Sequence, residues 1–302
     1  MIIALIEAGM RGYQIRVCCI NEKIAVAMKP TRHIFTALIS FLSIAFFSCT
    51  EELPDVTGKN RLYELRSVSD QNIDGHIKIR ERFDKSTQLE LVLNNTDPNK
   101  TYSAYMYFSN ALEAGEVALT LTPVSGQSKS SVTEISHLDS GSLITYDDLL
   151  QFDGHISILT EQEHPGYVAQ ADIGRNALTG RFQQFMLYEG DIEGITGILT
   201  VEERESGFSL LTVEIDGGVQ GKLHPVTLNF GSINQKSGVA GTLNPVEGNT
   251  GISRTNVEQL DGEMPAPYQS LIDFQGFARI HLGEGTEMNT ILAQGNIAFE
   301  EN

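Results

Sequence analysis

Between Asp70 and Glu81 the chain reads DQNIDGHIKIRE, which fits the spacing of a calcium loop. Asp70, Asn72, Asp74 and Glu81 would supply hard oxygen ligands, with Gly75 at the sharp turn. Such a loop needs a helix on each side, whereas the residues after Gly75 alternate in period two, as a strand does. A second copy of the stretch also speaks against calcium. At an offset of 122, IEGITGILTVEE keeps Gly197 and Glu203 but puts Ile192, Gly194 and Thr196 where ligands would stand. Gly75 is therefore expected to make a turn before a strand, and no metal is assigned.

The other residue types that do chemistry are sparse. Outside the N-terminal leader the histidines are His76, His137, His155, His164, His224 and His281, and none falls opposite another in the second copy. His155 and His164 flank one expected hairpin, but two imidazoles without a third ligand make a poor metal site. The three cysteines are Cys18, Cys19 and Cys49, so no disulfide can form beyond residue 49. There is no G-x-S-x-G elbow and no glycine-rich phosphate loop. No catalytic residue and no cofactor is expected. What remains is TYSAYMYFSN, whose Tyr102, Tyr105 and Tyr107 are expected on one face of a strand. An exposed row of this kind would stack on sugar rings or meet a partner protein. Packing in the core or at a sheet edge is the competing reading, and the second copy's HPVTLNFGS lacks the aromatics.

Charge narrows the partners. The 302 residues carry a net −18, and only five of the 21 basic and two of the 39 acidic residues precede residue 49, so the remainder stands at −21. Nucleic acid is excluded, because phosphate contacts need clustered Lys and Arg. Otherwise the composition, 41% hydrophobic and rich in Gly, Asn, Asp, Ser and Thr, is that of a soluble strand-and-turn protein.

The N-terminus reads as an address. From Met28 the sequence MKPTRHIFTALISFLSIAFFSC has a positive start at Lys29 and Arg32, an apolar run from Ile34 to Phe47, and Ser48 before Cys49. The run is shorter than the roughly 20 residues a bilayer span needs. A cysteine at this place resembles the lipobox of bacterial lipoproteins, in which the mature Cys is acylated. Cys49 is thus the expected lipidation site and the membrane a partner through its anchor. Glu51 and Glu52 resemble the acidic signal that exports some lipoproteins, so an outer-membrane protein displayed at the cell surface is expected over one facing the periplasm. Residues 1–27 precede a complete signal, which makes Met28 the expected start.

The elements that would position any site come in duplicate. Adding 122 carries Tyr63 to Phe185, Arg82 to Arg204, Leu89 to Leu211, Phe108 to Phe230, Pro123 to Pro245 and Gly154 to Gly276 without a gap. Such a period is too long for a solenoid and marks a duplicated domain. The expected division is 1–48 for leader and signal, 49–60 for a lipidated flexible tether, 61–180 for one domain and 181–302 for the next. Each copy reads as short alternating strands with turns, plus one short helix at TYDDLLQFDG or APYQSLIDFQG. The fold class is all-β: two tandem antiparallel β-sandwich domains, each with one short helix.

The blocks AYMYFSNALEAGEVALTLTPVSG, ITYDDLLQFDGHISIL and GYVAQADIGRNALTG, with counterparts ending ILAQGNI, resemble the CHRD (chordin-like) domain family. The resemblance covers nearly everything after residue 61. It implies a sandwich of immunoglobulin-like or superoxide-dismutase-like shape and no established reaction. The family pattern has His-x-His where this chain has Tyr105 and Tyr107, then Thr227 and Asn229. A further family His corresponds to Leu159 and His281, so only His281 is retained. The expected function is a surface lipoprotein with a non-catalytic binding or structural role, not an enzyme, taking a protein or glycan ligand. The alternatives are a metal-binding protein holding Cu, Zn or Ca through carboxylates with His155, His164 or His281, and an enzyme acting on extracellular glycans.

Overall fold

Alternation of side chains builds the first sheet. In β2 (Gly75–Arg82) Ile77 and Ile79 face in while Lys78 and Arg80 face out, and in β3 (Thr87–Leu93) Leu89, Leu91 and Leu93 are fully buried. Burying each such side chain contributes about 1.5–3 kcal/mol. The computed structural model describes residues 55–69, 71–160, 166–234 and 238–298. The remaining strands of the first repeat are β1 (Val56–Ser67), β4 (Thr101–Phe108), β5 (Val117–Ser125), β6 (Ser130–Ile135), β7 (Asp153–Thr160) and β8 (Tyr167–Gly174). Those of the second are β9 (Leu178–Glu189), β10 (Thr196–Arg204), β11 (Ser209–Asp216), β12 (Leu223–Phe230), β13 (Val239–Glu247), β14 (Ile252–Val257), a small hairpin β15 (Gln259–Leu260) and β16 (Met264–Pro265), β17 (Gly276–His281) and β18 (Ile291–Ile297).

The two expected helices are present. In α1 (Tyr146–Leu150) Thr145 and Asp148 form the anticipated capping box. In α2 (Tyr268–Ile272) Pro267 is the N-cap residue itself and makes no side-chain cap.

Both repeats lay their strands in the same order. The first reads β5-β4-β7-β8-β1-β2-β3-β6, and the second reads β13-β12-β17-β18-β9-β10-β11-β14 and closes on itself as a barrel. The chain is thus all-β and antiparallel in two domains, but the two-sheet sandwich expected from the sequence is replaced by a closed barrel in the second repeat. Closure rests on one backbone pair, Glu247 with Ile252. In the first repeat the equivalent strands β5 and β6 share no ladder, and side chains bridge them. Thr122 N–H donates to Thr133 Oγ1 at 2.8 Å, and Ser131 Oγ donates to Thr122 O at 2.8 Å. The second repeat has the same pair of bonds, from Asn244 N–H to Thr255 Oγ1 at 2.9 Å and from Ser253 Oγ to Asn244 O at 2.6 Å.

Each repeat has its own hydrophobic core, one drawn from Tyr63 to Ala177 and the other from Leu187 to Ile297. The repeat starts earlier than the sequence suggested. Strand β1 begins at Val56, inside the segment expected to be tether, and VTGK there matches LTGR at the start of β9. Thr57 donates to Glu81 at 3.0 Å as Thr179 donates to Glu203 at 2.9 Å. Gly58 and Gly180 both take positive φ, +96° and +87°, where glycine alone is unstrained.

The strand follows the turn as expected, but Gly75 is its first paired residue rather than part of the turn, which falls just before it. Gly75 pairs with Leu65 and Leu93, and a Cβ added to it would fall on the carbonyl oxygen of Val92. Asp74 accepts from the Asn94 amide at 2.7 Å, and Asp70 lies outside the described residues. So do Cys49, His164 and the whole leader.

Candidate functional site

The three tyrosines do not share a face. Along β4 the inward residues are Tyr102, Ala104 and Met106, and the outward ones are Ser103, Tyr105 and Tyr107. An odd separation in sequence puts Tyr102 on the opposite side from the other two. It is 1% exposed and accepts a hydrogen bond from Asp97 N–H at 2.9 Å. His224 does the same in the second repeat, accepting from Val219 N–H at 2.9 Å through Nε2. Tyr102 is therefore a core residue that satisfies a buried backbone donor, and it leaves the candidate binding face.

Tyr105 and Tyr107 stay outside as part of a larger aromatic ledge. Strand pairing sets Tyr107 opposite His155 on β7, and the two rings stack at 5.0 Å with 7° between their planes. Tyr105 meets Tyr107 edge-on at 6.1 Å. His155 is buried and donates from Nδ1 to Ser109 O at 2.8 Å, which fixes its ring. Tyr167, at the start of β8 and 46% exposed, hydrogen-bonds the Tyr107 hydroxyl. Burial, with the neighbouring Tyr167 hydroxyl, pushes the Tyr107 phenol up to about 12. Sequence reasoning missed His155 and Tyr167 here, because only the β4–β7–β8 pairing brings them to Tyr107.

In the second repeat Thr227 and Asn229 stand where Tyr105 and Tyr107 do, and with His281, at the position of Leu159, they form a polar chain. His281 Nδ1 donates to Met288 O at 2.7 Å, so its Nε2 accepts from Thr227 Oγ1 at 3.1 Å, and Thr227 in turn accepts from Asn229 Nδ2 at 2.9 Å. All three side chains are buried, and burial pulls His281 below its ordinary pKa, partly opposed by the bond to Met288. A neutral imidazole with both nitrogens engaged is held in place as a structural group.

Other readings gain little. Among the described residues no three His, Cys, Asp or Glu side chains converge as a metal site would need. A cavity of about 300 Å³ in the second repeat is lined by Phe230, Leu260, Met264, Pro265 and Phe274, with Ser270 and Gln275 its polar groups, and none of these titrates near neutrality. No helix among the described residues is long and apolar enough to cross a membrane. No family model matches the chain, and neither a curated protein nor a solved structure is found similar to it.

Proposed function

We propose that this chain is a membrane-anchored lipoprotein, displayed at the cell surface, whose two CHRD-like repeats form a non-catalytic binding module. The observation that carries the binding role is the ledge of Tyr105, Tyr107 and Tyr167 on the first repeat. Tyr107 is held by stacking on His155 and Tyr105 by its edge contact with Tyr107, so little side-chain entropy is lost there when a ligand settles on them. The second repeat builds the same wall with Thr227 and Asn229, so the aromatics are not a requirement of the fold.

Anchoring rests on the signal-like segment and Cys49. The test is protease treatment of intact cells that make the chain, alongside a Cys49→Ala form. Surface display predicts that the wild-type protein is shaved from unbroken cells and that the Ala form leaves the membrane fraction. Protection until the outer membrane is breached would overturn surface display, and a Cys49→Ala chain that stayed with the membrane would overturn the anchor.

A further inference from the structure

A second surface emerges when β1 and β9 are laid over one another. At an offset of 122 the outward residues Asn60, Leu62, Glu64 and Arg66 of β1 become Phe182, Gln184, Met186 and Tyr188 of β9. The first repeat therefore builds this wall with mostly polar and charged residues. In the second, Phe182, Met186 and Tyr188 are 60%, 53% and 63% exposed. Single exposed apolar residues are ordinary, but a row of three along one strand, with Ile198 beside Met186 on β10, is a patch. The fold does not call for it.

Charge selects the occupant. Arg181 is paired with Glu203 at 2.8 Å and lies over the Tyr268 ring, while Arg279 donates to Gln294 and lies over Phe277. Arg181, an odd step along β9 from the row, faces away from it, and Arg279 is already engaged, so an anionic ligand gains little here. Glu202, opposite Phe182, and the neighbouring Glu189 border the row with negative charge. That border and the net charge of −18 also disfavour a second copy of this chain. An uncharged ligand with flat apolar faces and hydroxyls meets no such penalty. Sugar rings stack their C–H faces on aromatic side chains, and two amides lie beside the row: Gln184, which donates to Thr200, and Gln294, opposite Tyr188, whose oxygen accepts from Arg279. From Phe182 to Tyr188 the strand runs about 20 Å, long enough for several linked sugars.

We propose that the β9 wall of the second repeat binds an uncharged glycan chain laid along Phe182, Met186 and Tyr188. This goes beyond the tyrosine ledge and does not depend on it. The test is retardation of the full chain, in detergent, in native gels cast with neutral glycans (β-1,4-, β-1,3- and α-1,4-glucans, xylan and mannan) or with anionic polygalacturonate. The wild type is expected to be retarded by at least one neutral glycan and not by polygalacturonate. The triple variant Phe182→Asn, Met186→Glu, Tyr188→Arg carries the first repeat's own residues and leaves net charge unchanged. It is expected to keep its unfolding midpoint and to lose affinity by about tenfold or more. Tyr105→Thr with Tyr107→Asn should bind the glycan as the wild type does, which separates this wall from the ledge. Retardation by no neutral glycan, equal retardation of the triple variant, or equal retardation by polygalacturonate would overturn the proposal. So would self-association of the wild type that the triple variant lacks, which would give the wall to a second copy.

Discussion

Arg204, from the second repeat, donates through Nη1 to the carboxylate of Asp172 in the first, at 2.7 Å, and its side chain is 1% exposed. The same nitrogen also donates to the carbonyl of Asn176. Around this pair the turn after β10 meets the turn before β9, with Glu205 N–H bonded to Ala177 O and Ser206 N–H to Arg175 O, each at 2.8 Å. Arg61 and Glu205 add an ion pair beside it. The equivalent residue in the first repeat, Arg82, spends its guanidinium within its own repeat, on Asp55 and Glu134. One duplicated arginine thus serves as a rim contact in one copy and as the joint in the other.

That contrast gives a matched pair of variants. Removing Arg204 leaves Asp172 without its cation and a buried carbonyl without its donor, so Arg204→Ala should cost about 3 kcal/mol. The partners of Arg82 are mostly solvated, with side chains 73% and 62% exposed, and Arg82→Ala should cost about 1 kcal/mol or less. Urea unfolding of both variants checks this. The Arg204 variant should also separate into two transitions as the repeats uncouple, while the Arg82 variant keeps the wild-type profile.

The seam between the last strands of each ring yields a second comparison. Thr133 and Thr255 accept from the backbone N–H of residues 122 and 244 at nearly equal distances, although only the second seam also has a backbone pair. Thr133→Val and Thr255→Val should each cost about 1 kcal/mol, the net worth of one hydrogen bond. In hydrogen exchange the amides of residues 122 and 244 should lose protection in their own variant. The Thr133 variant should open its seam further, since no ladder remains there to hold β5 to β6.

Part of the acid sensitivity should trace to Glu81, alongside Asp84 and Asp148, whose carboxyls are also held low by hydroxyl and backbone donors. The Thr57 hydroxyl, donating at 3.0 Å, holds the Glu81 carboxyl below its ordinary 4.5 against the opposing pull of burial, and Lys85 and Lys59 add to the effect. In the folded chain Glu81 therefore remains ionised at pH values where the unfolded chain takes up a proton. The stability it contributes is complete above 4.5 and drains as pH falls through the lower folded value. Glu81→Gln should flatten this part of the curve in urea midpoints recorded from neutral pH downwards. An unchanged slope in the variant would place the acid sensitivity elsewhere.

What sequence could reveal follows from the range over which each feature is encoded. Strand alternation and the Thr145 and Asp148 cap depend on near neighbours, and they appear where the pattern put them, while the turn expected at Gly75 ends one residue earlier. The duplication was visible because it repeats a whole domain, and it exposed Arg82 and Arg204 as equivalents while leaving their different partners hidden. Tyr102 parts from Tyr105 and Tyr107 because it stands an odd number of residues from both, which in a strand means the opposite face. The early start of the repeat is encoded at the same offset, in VTGK from Val56 and LTGR from Leu178. Ring closure and the Tyr107, His155 and Tyr167 ledge depend on which strands lie side by side, and no local pattern encodes that.

The ledge makes its own prediction at alkaline pH. An unfolded tyrosine ionises near 10, whereas Tyr107 in the folded chain keeps its proton until about 12 because its ring is partly buried against His155 and its hydroxyl faces that of Tyr167. Above 10 the unfolded chain gains a charge that the folded one refuses, so stability is whole below 10 and falls as pH climbs towards 12. Ultraviolet titration of the phenolates should show a late-ionising group in the wild type that is missing from Tyr107→Phe. Tyr167→Phe takes away the neighbouring hydroxyl and leaves the ring in place, so Tyr107 should then ionise earlier than in the wild type. If Tyr167→Phe leaves the late step where it was, the two hydroxyls do not meet in solution and the ledge is looser than the stacked geometry describes.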